Sequence, residues 1–194
     1  MRSNNLATRV RIAARRAYEK GGPGAVSARK LADELGVSQM AMYRHYRSKQ
    51  ELLSAVVDEG FAELVDHLRR ADGIVDPVKR LEARAVHWVE FARDHPHLFR
   101  LMFSHPRSDA RRFPLDFVAR KSPTGVLIED DCREAMQRAG VTARSPLELG
   151  LMLWSVMHGF AMLLMSDRLA LSPTELERVC RQTVRRLLRG GGST

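Results

Sequence analysis

The spacing of apolar and polar positions along this 194-residue chain contains no run of alternating β-branched residues and no Asn-Gly hairpin turn, the two plainest signs of strands. Apolar residues recur instead at helical spacing, as in Leu31, Ala32 and Leu35 on one face, and in long apolar faces over 149–164 and 176–188. The pattern predicts an all-α protein. Its helix starts are marked by side chains able to accept from free backbone N–H groups, often followed by a proline whose missing N–H costs nothing there: Asp76-Pro77, Ser122-Pro123, Ser145-Pro146 and Ser172-Pro173. Glu148 and Glu175 stand where they can complete capping boxes, as does Glu51 after Ser48. Ser27 and Ser38 are further expected caps. Stops are expected at Gly21-Gly22, Gly36, Gly140 and Gly190-Gly191-Gly192. About nine helices follow: 7–20, 28–35, 39–46, 49–71, 77–93, 96–105, 123–139, 146–167 and 173–189. Residues 106–121 read as loop or a short helix.

At 44% hydrophobic and 28% charged, the composition is that of a globular protein, which argues against a disordered tail or a coiled coil. The net charge of +9 points toward a polyanion, and its placement sharpens that reading. Residues 1–50 hold eleven Lys and Arg against three acids, a balance of +8, whereas the remaining 144 residues balance to +1. Because 27 of the 32 basic residues are Arg, which genomic base composition can produce by itself, position counts for more than kind. Cys132 and Cys180 stand in no CxxC arrangement and read as free buried thiols. The N-terminus carries no apolar signal stretch, so a cytoplasmic location is expected. Residues 147–165 are as long as a membrane span but include Glu148, Ser155 and His158. They read as a helix buried in protein on most of its circumference, and no membrane partner is expected.

The most informative segment is 27–49, SARKLADELGVSQMAMYRHYRSK. A helix, a turn through Gly36-Val37-Ser38 and a short second helix make a helix-turn-helix. In it Val37 plugs the space between helices, and the second helix is suited to a major groove about 12 Å wide. Arg29 can pair bidentately with guanine and Gln39 with adenine, while Met40 and Ala41 suit a thymine methyl. Ser38 caps the short helix; Tyr43, Arg44 and His45 can reach phosphates or base edges. Lys49, with the N–H groups at the start of its helix, suits a phosphate, and Arg9, Arg11, Arg15 and Arg16 can add non-specific attraction. Helix pairs around a glycine turn also occur in proteins that never meet nucleic acid; the coincidence with the +8 segment is what favours DNA.

The stretch 9–53 resembles the N-terminal domain of the TetR family of transcriptional regulators. The resemblance lies in Ala14, Tyr18 and Gly21-Gly22, then Arg29-Lys30-Leu31-Ala32, Gly36-Val37-Ser38, Met42-Tyr43, His45-Tyr46 and Ser48-Lys49-Gln50-Glu51-Leu52-Leu53. It implies a homodimer that places residues 39–45 of each subunit in a major groove of a palindromic operator, with Arg29, Tyr43 and Lys49 on DNA. Met40-Ala41 departs from the Gly, Pro, Thr or Ser that relatives often carry there. The domains expected are 1–48 for DNA binding and 49–194 for ligand binding and dimerisation, with 49–71 as connecting lever.

The second region is rich in Met, which fills cores and also suits pockets for varied apolar ligands. The resemblance implies a pocket here and a dimer interface from 146–167 and 173–189, two helices per subunit forming a four-helix bundle. Phe99, Met102, Phe103, Trp154, Met157, His158 and Met162 are the expected pocket residues, Trp154 to Gly159 resembling a Trp…His-Gly motif of one branch of the family. His158 can equally be a packed core residue. No HExxH, GxSxG, P-loop or dinucleotide fingerprint is present, so no enzyme and no cofactor are expected. His95-Pro96-His97 with His105 lacks a nearby acid or Cys cluster, so no metal is expected either. The reading is a repressor released by a small, largely apolar effector. Two other readings stay open, a DNA-coating protein without effector and a helical enzyme.

Overall fold

Serine, aspartate, proline and glycine set the helix boundaries. The structure, a computed structural model, describes residues 2–189, with side chains from residue 6 onward. Among the described residues it has ten α-helices and no strand. They are α1 (Arg2–Gly21), α2 (Ala28–Leu35), α3 (Gln39–Tyr43), α4 (Lys49–Arg69), α5 (Pro77–Asp94), α6 (Pro96–Ser104), α7 (Leu115–Val118), α8 (Pro123–Arg138), α9 (Pro146–Met165) and α10 (Pro173–Arg189), with a 3-10 turn at Gly22–Gly24. The helix beyond the expected nine is α7, inside 106–121. The Gly190-Gly191-Gly192 stop lies outside the described residues.

The caps form largely as their side chains allow. Asp76 accepts from the N–H groups of Val78 and Lys79 at 2.9 and 3.2 Å, and Ser122 and Ser145 accept from Gly125 and Glu148 at 3.2 and 3.1 Å. Ser172 and Glu175 cap reciprocally: the Glu175 N–H donates to Ser172 Oγ at 3.3 Å and the Ser172 N–H to Glu175 Oε2 at 2.9 Å. Each such cap stabilises its helix by about 1 kcal/mol. Ser27 is the exception. Its backbone is extended as a cap requires, but its side chain makes no capping bond, and its carbonyl receives the Leu31 N–H at 2.9 Å instead.

Three helices end two or more residues short of expectation, and α6 and α8 each end one residue short. The second helix of the turn motif stops at Tyr43 rather than 46: His45 and Tyr46 both direct their N–H groups to the Met42 carbonyl, and the Tyr46 hydroxyl donates to the carbonyl of Ala7 on α1 at 3.2 Å. Bonds of the tighter i−3 kind, Arg70 to His67 and Ala71 to Leu68, close α4 at Arg69 rather than 71. Asp167, at φ 55°, ends α9 at Met165 rather than 167.

Backbone proximity groups the chain into two units. One is the chain up to Ala62 with His95–Ser108, the other Glu63–Asp94 with the chain from Asp109 onward. This division differs from the expected boundary at 48/49, because residues 49–62 of α4 and the whole of α6 fall in the first unit. There α6 packs on α1, and α4 is closely approached at Gly60, where a Cβ would stand 2.8 Å from Met102 Sδ and 3.1 Å from Leu98 Cδ1. Val10, Ala14, Tyr18, Leu31, Met42, Leu53 and Phe99 are buried in it.

In the second unit α5 packs against α8, α9 and α10, and Trp88, Phe91, Leu153, Met157 and Val184 are buried. Buried side chains of this size contribute about 1.5–3 kcal/mol each. The unit also holds a buried ionic cluster: Arg80 and Arg84 of α5 both donate to Asp131 of α8, Arg80 also to Glu134, and Arg84 also to Asp72. Their remaining N–H groups go to the carbonyls of Ile74 and Leu68 at 2.8 and 2.7 Å, so no charge in the cluster is left without a partner. Cys132 and Cys180 are free and buried. Burial raises both thiols, that of Cys180 up to about 11, which leaves them unreactive.

Candidate nucleic-acid interface and second-unit aromatic cluster

The turn between α2 and α3 needs a left-handed residue, and Gly36 supplies it at φ 66°. Its N–H reaches the Asp33 carbonyl at 3.3 Å, and the Val37 N–H reaches that of Ala32 at 3.0 Å. Ser38 then caps α3 by accepting from the Ala41 N–H at 3.1 Å. Five residues suffice for α3 because Met42 is buried and pins it, leaving its other side chains outward.

Arg29, Ser38, Gln39, Met40, Tyr43, Arg44 and Lys49 are exposed, and Ala41 and His45 are half-buried. Met40, at 69% exposure, is much the most exposed large apolar residue of α3, ahead of Tyr43 at 43%. Lys49 Nζ donates to the Pro23 carbonyl at 2.7 Å, tying the start of α4 to the Gly22–Gly24 turn. That helix start is occupied from within: Ser48 Oγ accepts from the Glu51 N–H at 3.1 Å, and Glu51 Oε2 accepts from the Arg47 N–H at 2.6 Å.

Arg9, Arg11, Arg15 and Arg16 of α1, expected to add non-specific attraction to DNA, have partners within their own unit. Arg11 pairs with Glu59 at 3.1 Å, Arg15 with Glu19 at 3.0 Å and Arg16 with Glu34, while Arg9 donates to the Leu35 carbonyl at 3.1 Å. Of the eleven basic residues among the first fifty, three are therefore paired with acids of the same unit and a fourth, Arg9, donates to a carbonyl. Lys30 and Arg47, which sequence reasoning counted but gave no role, are exposed beside Arg29 and Arg44. These four have no side-chain partner among the described residues, and their neighbours in sequence were the available signal.

The expected effector residues fall in both units. Phe99, Met102 and Phe103 belong to the first, where Phe103 meets Phe99 at 4.7 Å and Phe61 at 5.5 Å between ring centroids. Trp154, Met157, His158 and Met162 belong to the second. Met157 lies with Leu149, Leu153 and Ala161 on the buried face of α9, and Met162 is exposed on another. Burial pulls His158 below the usual histidine range, which keeps its ring neutral at neutral pH. Phe117, missed because 106–121 gave no clear pattern, stacks on Trp154 at 5.6 Å.

Helix α9 is long and apolar enough to cross a membrane by length and composition, yet 22% of its most apolar stretch is buried in the single chain. The expectation that protein covers most of its circumference is not met within one subunit, because Met152, Met162 and Leu163 face outward. Among the described residues no three His, Cys, Asp or Glu side chains are grouped to hold a metal. His95 lies 3.7 Å from Glu19, and His105 Nε2 lies 3.3 Å from both Ser54 Oγ and the Gln50 carbonyl.

A helix-turn-helix with an outward basic and polar face, followed by a larger helical unit, defines a two-part DNA-binding regulator. The chain belongs to the TetR family. Residues 12–56 match the family model for bacterial regulatory proteins of the tetR family, and residues 81–187 match that for the tetracyclin repressor-like C-terminal domain. Among solved structures, a Rhodococcus sp. RHA1 protein of unknown function is similar at TM-score 0.80 and 28% identity, covering 95% of this chain and 94% of that one. The TetR family transcriptional regulator PfmR from Thermus thermophilus has TM-score 0.64 and 21% identity, over 95% of this chain and 99% of its own. At that identity it shows the fold alone. The nucleoid occlusion factor SlmA of Aliivibrio fischeri (strain MJ11) is 29% identical over 85 residues, 43% of each chain, so the match spans less than half of that curated relative. Regulators of this family are non-enzymatic, bind DNA operators and act as dimers, and this chain is a DNA-binding transcriptional regulator.

Proposed function

We propose that the chain is a cytoplasmic repressor that binds a palindromic operator as a homodimer and leaves it when a small, largely apolar effector binds. The observation that carries the reading is the outward set on α2 and α3. Arg29 and Gln39 offer bidentate contacts, Met40 and Ala41 apolar ones, and Tyr43, Arg44 and His45 lie one turn on, framed by the unpaired Lys30 and Arg47. Lys49 can exchange one of its three protons from the Pro23 carbonyl to a phosphate, and the Ser38 hydroxyl, whose oxygen is engaged by Ala41, can still donate to one.

The outward faces of α9 and α10 form the dimer interface in this reading. Two such helices from each subunit make a four-helix bundle that covers Met152, Met162 and Leu163, apolar surface a monomer exposes. The paired heads must then stand about 34 Å apart to enter successive major grooves. An effector that prefers another separation weakens DNA binding by the factor that DNA weakens its own. Helix α4 begins in the first unit and ends in the second, which makes it the lever, and the domains of function are 1–48 and 49–194.

Selection of binding sites from random duplexes, followed by anisotropy titration, tests the reading. A palindrome with half-sites about one helical turn apart is expected, bound at least about a thousandfold more tightly than random DNA. Equal affinity for both would establish a sequence-indifferent DNA-coating protein instead.

A further inference from the structure

Met40 stands out from α3 with 69% of its surface exposed, while Met42, two residues on and therefore on the opposite side of the helix, is buried. An exposed methionine is ordinary on a protein surface. Its surroundings set this one apart. Gln39 and Tyr43 of the same helix are also exposed, and Arg29, Lys30, Arg44 and Arg47 are exposed cations with no side-chain partner among the described residues. An apolar group set among free cations suits a partner that is anionic along its edges and carries apolar points between them, as a duplex does across its major groove.

Within that groove the chemistry left to Met40 is narrow. Its side chain has no donor and only a weakly accepting sulfur, so it cannot pair with the oxygens, ring nitrogens and amino groups that make up most of the base edges. The apolar group on those edges is the C5-methyl of thymine. Ala41 is the other apolar candidate on α3, but it is half-buried and its side chain is a single carbon. The flexible thioether of Met40 reaches further and adapts to where the methyl lies.

We propose that Met40 is a specificity-determining residue that reads a thymine methyl in each half-site of the operator. The inference rests on the operator-binding reading above and deepens it, assigning one residue to one group of one base. The same contact makes 5-methylcytosine a better substitute for that thymine than cytosine, since those two bases differ by the methyl alone.

The palindrome recovered by selection from random duplexes supplies the probe. Each thymine is replaced in turn, in both half-sites together, by deoxyuridine, which removes the methyl and keeps every hydrogen-bonding group, and affinity is read by anisotropy. At one position the unaltered protein is expected to lose about fourfold per half-site, the affinity that one buried methyl carries. In Met40→Ala that loss should vanish, whereas Met40→Leu, of similar volume, should keep most of it. Met40 is exposed, so both variants are expected to keep the thermal midpoint of the unaltered protein. With 5-methylcytosine at the same position the unaltered protein should bind more tightly than with cytosine. A palindrome without thymine, a deoxyuridine series without effect, an effect undiminished in Met40→Ala, or equal affinity for cytosine and 5-methylcytosine would overturn the proposal and leave operator binding standing. A selection that returns no preferred sequence would overturn the operator reading and this proposal together.

Discussion

Arg185 of α10 donates two N–H groups to the carboxylate of Glu82 on α5, at 2.7 and 2.8 Å, although the Glu82 side chain is 3% exposed and that of Arg185 45%. The pair reaches from the buried centre of the second unit to a helix proposed to form the dimer interface. Removing its outer partner strands a carboxylate in the interior, which costs more than the pair itself contributes. Arg185→Ala is therefore expected to lower the thermal midpoint, and adding Glu82→Met is expected to recover most of the loss. A double-mutant cycle checks this; a double variant less stable than Arg185→Ala would contradict it.

Asp131 receives both Arg80 and Arg84, all three side chains being at most 10% exposed. Asp131→Ala leaves two buried guanidinium groups without their shared partner and is expected to cost about 3–5 kcal/mol in urea unfolding. A loss below about 1 kcal/mol would mean that Glu134 and Asp72 suffice to hold the cluster.

Ser38 offers a way to separate the fold of the head from its contact with DNA. Its Oγ accepts from the Ala41 N–H, so Ser38→Ala is expected to cost about 1 kcal/mol of stability and Ser38→Gly only a few tenths. If the hydroxyl serves only as a cap, operator affinity of the glycine variant should stay near that of the unaltered protein. A tenfold loss of affinity in a stably folded Ser38→Gly would assign the hydroxyl a phosphate.

Tyr43→Ala and Lys49→Ala are expected to weaken operator binding by about 1–3 kcal/mol each while sedimentation still gives a dimer. Arg44→Ala or Arg47→Ala, if they touch phosphates, should each flatten the dependence of log affinity on log salt by about one unit. Arg11→Ala, by contrast, should leave the slope unchanged, because Arg11 is already paired with Glu59. Unchanged affinity in both Tyr43→Ala and Lys49→Ala would refute the interface.

Burial lowers His87, with the Arg70 charge adding to it, and burial alone lowers His158, both from an ordinary value of 6.5. A histidine whose folded pKa is depressed binds fewer protons folded than unfolded. Its contribution to stability is complete above pH 6.5 and is lost as pH falls from there toward the folded value. The urea midpoint is expected to fall between pH 7.5 and 5.5, and His158→Gln should reduce that dependence. A midpoint that rises on acidification would contradict the assignment.

The helix starts were legible in sequence because a cap is a local event. Asp76, Ser122, Ser145 and Ser172 each bond within three residues of themselves, so chain order alone brings the partners together. The turn at Gly36 was legible for the same reason, and with it the exposed face of α3. Ser27 shows the limit, since its backbone took the cap conformation and its side chain did not follow. The end of α3 was illegible because it depends on Tyr46 reaching Ala7, 39 positions away.

The same distinction divides the chemistry. Sequence by itself determined an all-α chain of the TetR family with a basic head and a near-neutral remainder, because periodicity, caps and charge counts are properties of neighbours along the chain. Only the tertiary structure decided which charges are free. It paired Arg11 with Glu59 and Arg16 with Glu34, left Arg29, Lys30, Arg44 and Arg47 outward, and set Phe117 on Trp154. Those outcomes depend on residues that are distant in the chain but adjacent after folding, where burial and Coulomb energy act through space and not along the sequence.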